Sequence, residues 1–496
     1  MSRVVVIGAG VGGLAAALHL ARAGHRVVVH ERSPAAGGKL GHYVRDGFAF
    51  DTGPSLLTLP QVFEDLDLGL RPQPLDPVVR HVFPDGSVLD SSSSHEEFVA
   101  RIADAFGAAA ADDWQRFWAR AERTWAASWR SVLRRPVTPA TLAGLSWRVR
   151  DLAAIAPGRS LRGLGRAYLR DRRLRMLLDR YATYTGADPR RAPAALAAVP
   201  YAELAFGGWY LPGGLGTLAD ALLARCAEAG VEVMVDSAVT AIETGPRSAA
   251  GGGAAAHTAR AGGAVTGVRL ASGAVEPADV VVADVDAATV YRDLLPTPRR
   301  LAGLADRSLA GFVLLLGVRG STPELAHHTV FFPDHYDAEF DAVFGDPGRG
   351  VRARPPDDPA VFVTRAVDDA VHPPGAEAWF VLVNAPPHGT GWSAVDWRRP
   401  GLAEAYRDHI LAVLARRGPD VRDRLVFAEV RTPADLADAT AAPGGAIYGT
   451  AGGLLRPANR GPVGGLWLVG GSAHPGGGLP MVTLSARIVA DQIGPA

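Results

Sequence analysis

The chain has 496 residues, 48% of them apolar, and its 51 basic and 51 acidic side chains balance. That length supports a large core in two or three lobes, and the neutral balance excludes a general attraction to nucleic acid. A single cysteine, Cys226, excludes a disulfide framework or a cysteine metal cage within the chain.

Residues 3–7, RVVVI, form the continuous apolar run expected of a strand buried on both faces. Gly8, Gly10 and Gly13 follow at G-x-G-x-x-G spacing. A helix is predicted from there to Ala23, with Gly24 placed to stop it. A second strand, RVVVH, leads to Glu31. In this setting Gly8 permits a tight turn, Gly10 lets the backbone approach a pyrophosphate, and Gly13 lets helix and strand pack closely. The helix N-terminus then faces phosphate charge. Glu31 is placed to bond ribose hydroxyls and to repel a 2′-phosphate. The unit specifies a dinucleotide site and leaves NAD and FAD open.

Residues 101–195 read as helical. Trp114, Trp118, Trp125 and Trp129 recur on one helix face, and residues 147–175 hold nine arginines and two aspartates. Two readings stand side by side: an interfacial surface of aromatics and arginines resting on anionic lipid, or a tryptophan core stripe with a solvated basic face. Next, LGTLADALLARCAEAG predicts an amphipathic helix with Cys226 in core register with Leu215, Leu218 and Leu222. Residues 245–263 are low-complexity and read as a hairpin insert. A buried strand is expected at 278–283, and further strands at 311–317, 361–364 and 378–383. The chain closes on LWLVGGSAHPGGGLPMVTLSARI, residues 466–488, a second apolar strand running through glycines into a helix. There is no Ser-His-Asp pattern, His-x-x-x-His pair or paired acids, so no metal is expected and no catalytic acid or base is assigned. No apolar run of roughly 18 residues exists to span a bilayer, and no leader pattern opens the chain. The expected location is the cytoplasm, with a peripheral hold on the inner face of the cell membrane if the interfacial reading applies.

Glu31-Arg32, Gly37-Gly38-Lys39 and Asp51-Thr52-Gly53-Pro54-Ser55 resemble the FAD-containing amine oxidase and phytoene desaturase superfamily. The ending resembles the C-terminal signature of bacterial-type carotenoid desaturases through Gly470, Gly471, Ser472, His474, Pro475, Gly476, Gly478 and Ser485, and departs from it at Gly477. YATYTGADP (181–189), GGWYLPGG (207–214), LAHHTVFF (325–332), TPAD (432–435) and LLRPANRG (454–461) extend the likeness over nearly the whole chain. The resemblance implies FAD held by Gly8, Gly10, Gly12, Gly13, Glu31, Arg32, Gly38, Lys39, Gly53, Val239, Gly470, Gly471, Gly478, Met481 and Val482. It places His328 and His474 as candidate pocket residues, each weighed against a structural role. Lys39, the chain's one lysine, is either a cation near the diphosphate or a residue at an exposed turn.

The implied fold is α/β. A discontinuous Rossmann-like FAD domain (1–75, 213–295, 442–496) joins a mixed-sheet substrate domain (76–100, 196–212, 296–441) and a helical lobe (101–195). The implied activity is removal of two hydrogens beside a polyene, with a lipophilic polyene as partner. A carotenoid oxygenase or ketolase, another amine-oxidase-type enzyme, and a flavin-free prenyl-binding escort remain as alternatives.

Overall fold

The computed structural model describes residues 1–246, 263–451 and 456–496. Its nucleotide-binding half is a five-stranded parallel sheet in the order Glu232–Met234, Arg26–His30, Arg3–Ile7, Val280–Ala283, Leu466–Leu468. The first strand lies at the centre, with Val5 opposite Val28 on one side and Val281 on the other. Val4, Val5 and Val6 are buried because helices cover one face and a three-stranded antiparallel layer the other. Helix Val11–Arg22 packs between Thr217–Glu228 and Leu479–Ile493. All three meet in one apolar cluster that includes Cys226. Burial pushes that thiol up to about 12, so Cys226 is a core residue as its register predicts.

The helix stops fall at the predicted glycines. Gly24 has φ of 91° and Gly230 of 75°, conformations that a Cβ would strain. Asp51 ties two distant motifs together: its carboxylate accepts the N–H groups of Leu215 (2.8 Å) and Gly216 (2.9 Å) at the start of the Thr217–Glu228 helix. The low-complexity insert lies almost wholly outside the described residues, as do the first two residues of LLRPANRG.

A seven-stranded mixed sheet forms the second layer system, in the order Leu425–Arg431, Ala310–Arg319, Ala376–Ala385, Val361–Arg365, His328–Phe331, Arg80–Val82, Val88–Asp90. Its two longest strands pair in register from Ala310–Ala385 to Arg319–Ala376. Over it sits a helical region from His95 to Phe206. The tryptophan helix runs Ala108–Ser128 and continues as a π-type turn, Trp129–Leu133. Trp114 is fully buried against Phe98 and Phe117, whereas Trp118, Trp125 and Trp129 are half-buried. The stripe is therefore core at one end and surface at the other.

Candidate functional site

The two glycine turns converge on one cavity of about 1150 Å³. Pockets for a single small ligand occupy roughly 300–1,000 Å³, so there is room for a cofactor and part of a substrate. The cavity is lined at one end by Gly8, Gly10, Gly12, Glu31, Arg32, Gly38, Lys39, Gly53 and Val239, and at the other by Gly471, Gly478, Met481 and Val482. Gly13 and Gly470 stand behind this lining and shape it.

What joins the turns is a residue that no motif marked. Asp284 follows the strand Val280–Ala283, and its Oδ2 accepts the Gly13 N–H at 2.7 Å. A Cβ at Gly12 would come within 2.7 Å of its Oδ1, and one at Gly470 within 2.1 Å. The glycines are thus required by a carboxylate lodged between the turns as well as by the approach of a ligand. Burial, reinforced by the charge of Glu31, pushes Asp284 up to about 7. Asp284 is therefore part-protonated at neutral pH. Only a strand end seen in register with its neighbours reveals this position.

Glu31 accepts Ala9 N–H through one oxygen and Ser33 N–H through the other, both at 2.8 Å. These bonds hold the carboxylate at the cavity wall and leave a lone pair on each oxygen for hydroxyl donors. Gly37 N–H donates to Ala9 O at 2.9 Å, which brings the Gly-Gly pair against the first turn. A Cβ at Gly38 would sit 3.2 Å from Gly10 Cα, and one at Gly53 only 1.9 Å from Lys39 O. Arg32 is exposed at the rim. Gly478, with φ of 100°, caps the helix Leu479–Ile493, whose first turn, Leu479, Pro480, Met481 and Val482, lines the cavity. These features fit a dinucleotide whose diphosphate lies on the first turn and whose far end meets the second helix.

Two expectations need correction, those for His328 and His474. Lys39 is half-buried and lines the cavity, so it is not at an exposed turn. It donates to the carbonyls of Ile447 (2.6 Å) and Ala446 (3.3 Å), and burial lowers its pKa. It fastens the first crossover to the segment before the C-terminal turn. His328 does not line the cavity. Its ring lies between the carbonyls of Val78 (3.3 Å) and Ser55 (3.1 Å) and stacks on Phe362, and burial pushes it down to about 4. His474 is also behind the lining. Its Nε2 sits between the carbonyls of Val132 (3.1 Å) and Arg135 (2.9 Å), and burial lowers its pKa. It pins the glycine turn to the end of the tryptophan helix. Both histidines are structural and neutral.

The arginine run departs from expectation as well. Arg162 is buried between Asp179 (2.8 Å) and Asp337 (2.6 Å). Arg170 bonds Asp113, and Arg173 bonds Asp171 and Asp85. Arg162, Arg170 and Arg173 are therefore paired with acids from elsewhere in the chain, while Arg150, Arg159 and Arg166 stay exposed. Three exposed apolar side chains lie just before and within it, Trp147 (87% exposed), Val149 (71%) and Leu142 (40%), while others such as Val44, Val367 and Trp392 are scattered elsewhere.

The comparisons with known proteins agree with this geometry. Residues 11–315 match the model of the flavin-containing amine oxidoreductases. The chain belongs to the flavin-containing amine oxidoreductase family. Within it, the chain is 33% identical to a 4,4'-diapolycopene oxygenase of Methylomonas sp., over 99% of this chain and 98% of that one. It is 34% identical to a hydroxyneurosporene desaturase of Cereibacter sphaeroides, over 99% and 97%. Among solved structures, an oxidoreductase from Methanosarcina mazei superposes with a TM-score of 0.63 at 16% identity, covering 99% of this chain and all of that one. A putrescine oxidase superposes with a TM-score of 0.60 at 15% identity, covering 99% and 98%. These distant structures share the fold of this chain. The protein is an FAD-dependent oxidoreductase, and the dinucleotide that the cavity fits is FAD.

FAD binding is expected to depend on pH through Asp284. An anionic diphosphate nearby raises the pKa of Asp284 further, so binding takes up protons. Titrating flavin-free protein with FAD will show affinity falling as pH rises through about 7. Asp284→Asn will flatten that slope. The same shift acts on stability with the same sign. The folded state holds the proton more tightly than the unfolded one, so stability declines as pH rises from the ordinary aspartate range to about 7.

Proposed function

We propose that this chain is a carotenoid desaturase, removing two hydrogens from adjacent carbons beside a polyene. The observation that carries this reading is the apolar part of the cavity wall, which includes Trp125, Val132, Leu133, Ile155, Leu196 and Val199. An amine substrate has no reason to meet such a wall, whereas a long apolar chain fits it. The names of the full-length relatives, a polyene oxygenase and a hydroxycarotenoid desaturase, support the same substrate class.

When bound, FAD would supply the acceptor for the hydride, which carries both electrons, and the second hydrogen leaves as a proton. The residues of this apolar wall exclude water and hold the substrate in line, and these are the contributions the reaction requires of them. The proton left on a polyene cation is acidic through delocalisation, so no strong base is needed. Oxygenation of the same substrate is the second reading, favoured by the 33% identical oxygenase.

The substrate resides in a bilayer, and the entrance belongs at the helical lobe. None of the helices among the described residues is long and apolar enough to cross a membrane. Instead, Leu142, Trp147 and Val149 project beside the exposed Arg134, Arg135, Arg148 and Arg150. Val132, Leu133 and Ile155 of the cavity wall flank that segment. Apolar side chains entering the interface among arginines on anionic headgroups describe a peripheral, monotopic contact.

Anaerobic mixing of the flavin-loaded protein with a polyene in anionic liposomes tests the reading. The oxidised-flavin absorption will bleach while the polyene absorption shifts to longer wavelength. Bleaching by amines and not by polyenes overturns it. Product that forms only with oxygen, and carries its atom, replaces desaturation by oxygenation.

A further inference from the structure

Glu203 interrupts an apolar stripe. It lies in the helix Ala198–Phe206 and lines the cavity together with Val199, one turn before it, and Ala202, its neighbour. Only 2% of it is exposed. Its Oε1 accepts the Tyr181 hydroxyl at 2.8 Å, and among the described residues its Oε2 has no hydrogen-bond partner. Tyr184 and the Arg180 guanidinium, which stacks 5.4 Å from the centroid of the Tyr184 ring, also favour the anion. Burial outweighs these groups and raises the pKa, so the carboxylate holds a proton more tightly than it would in water. Tyr448 joins this wall to the C-terminal glycine turn. A Cβ at Gly186, two residues after Tyr184, would lie 3.1 Å from one edge of the Tyr448 ring, and the other edge leaves no room for a Cβ at Gly477. Glu31 and the first turn take the ribose and diphosphate, so Glu203 stands toward the end of the cavity left for the redox-active ring.

A buried carboxylate oxygen without a donor is costly, and the fold keeps one on the substrate wall. An apolar chain brings no N–H or O–H to satisfy it. Once hydride has left, such a chain does bring a C–H bond made acidic by the neighbouring cation. We propose that Glu203 is the catalytic base: its Oε2 takes the second hydrogen, as a proton, from the carbon beside the one that has lost hydride. The first C–H bond breaks with its electron pair leaving as hydride, and the flavin is reduced. The second C–H bond breaks with its pair staying on carbon, where it forms the new C=C bond. The proton forms an O–H bond on Glu203, and the carboxylate becomes a neutral acid. Substrate thus loses two hydrogens and two electrons, and no oxygen is consumed in the step. A carboxylate is base enough for so acidic a hydrogen, and the dry wall strengthens it. The inference rests on the polyene reading above and deepens it.

Anaerobic single turnovers of the flavin-loaded protein on a polyene hydrocarbon test it. Glu203→Gln keeps an oxygen for the Tyr181 hydroxyl and nearly the same shape, but it cannot take a proton. Product will form about a hundredfold more slowly in that variant, within the range for loss of a general base, while Glu203→Asp keeps part of the rate. The parent's rate will rise with pH through a titration above the ordinary glutamate range, because the base must be ionised, and Glu203→Gln will lose that limb. Deuterium at the carbon that yields the proton will slow Glu203→Gln more than the parent, since proton loss becomes limiting. In infrared difference spectra the parent will gain a protonated-carboxyl band as product forms, beyond any seen on reduction by dithionite. Product without that band in the parent overturns the proposal, whether or not any variant folds. So does Glu203→Gln with full flavin content and the parent's rate, or a slowed variant that keeps the pH limb. In each of these results the polyene still bleaches the flavin, and the polyene reading stands. If the polyene does not bleach the parent, that reading falls and the role of Glu203 falls with it.

Discussion

Gly470→Val purifies as a colourless protein. Gly470 has φ of 89°, a conformation in which a branched side chain is strained by roughly 1–3 kcal/mol. The larger effect is local. Its Cβ would lie 2.1 Å from Asp284 Oδ1, and that carboxylate has nowhere to go, because Gly12 closes on the same oxygen. Driving Asp284 aside breaks its bond to Gly13 N–H and pushes its charge into the diphosphate site. Each 1.4 kcal/mol costs about tenfold in affinity, so a displaced acid added to strain removes flavin at ordinary concentrations. The measurement is the flavin-to-protein absorbance ratio after purification, beside circular dichroism to confirm folding. Gly478→Ala is the control: its φ is also positive, at 100°, but a Cβ there meets open space, so it suffers strain alone. Full flavin in a folded Gly470→Val protein refutes the convergence of the two turns on one FAD.

Trp147→Asp with Val149→Asp releases the protein from anionic liposomes and slows turnover of membrane-held substrate. Burying the two exposed side chains in the interface contributes on the order of 1.5–3 kcal/mol each, and arginines near the surface add about 1 kcal/mol apiece. Losing the apolar part therefore lowers partitioning by more than a hundredfold. Flotation on liposomes of mixed anionic and zwitterionic lipid measures it, and flavin content should stay normal. The arginine share weakens with salt and the apolar share does not. A variant that floats as well as its parent removes the lobe as the docking surface. Reversing Arg162 is not a substitute, since a glutamate there would face Asp179 and Asp337 and disrupt the fold.

The difference between the two surfaces shows what the sequence exposes and what it hides. Strands at 3–7 and 26–30, the helix stops at Gly24 and Gly230 and both glycine turns were legible, because each signal spans a few neighbouring residues. The pairing of Arg162 and Arg170 was hidden for the opposite reason. Arg170 meets Asp113, 57 residues away, and Arg162 meets Asp337, so the neutralising acids are invisible in any local window. Asp284 was missed likewise: it is an ordinary strand-end residue until segments 271 residues apart are brought together. His328 and His474 attracted attention by residue type. Their bonds to backbone carbonyls, which settle their roles, come from segments far away in the chain.

The parallel sheet also has a history written into its strand order. Its central strand, Arg3–Ile7, is made long before one of its edge strands, Leu466–Leu468. At roughly 5–20 residues per second, the first glycine turn waits on the order of half a minute to a minute and a half for the second. During synthesis a large apolar surface is present with neither its last strand nor its covering C-terminal helix. Pairings of such long range form slowly and leave edges open to aggregation meanwhile. The flavin site is therefore complete only once the strand Leu466–Leu468 and the helix after it have been made. The yield of coloured protein in a host cell will be governed by chaperone capacity and flavin supply at that moment as much as by the stability of the finished fold.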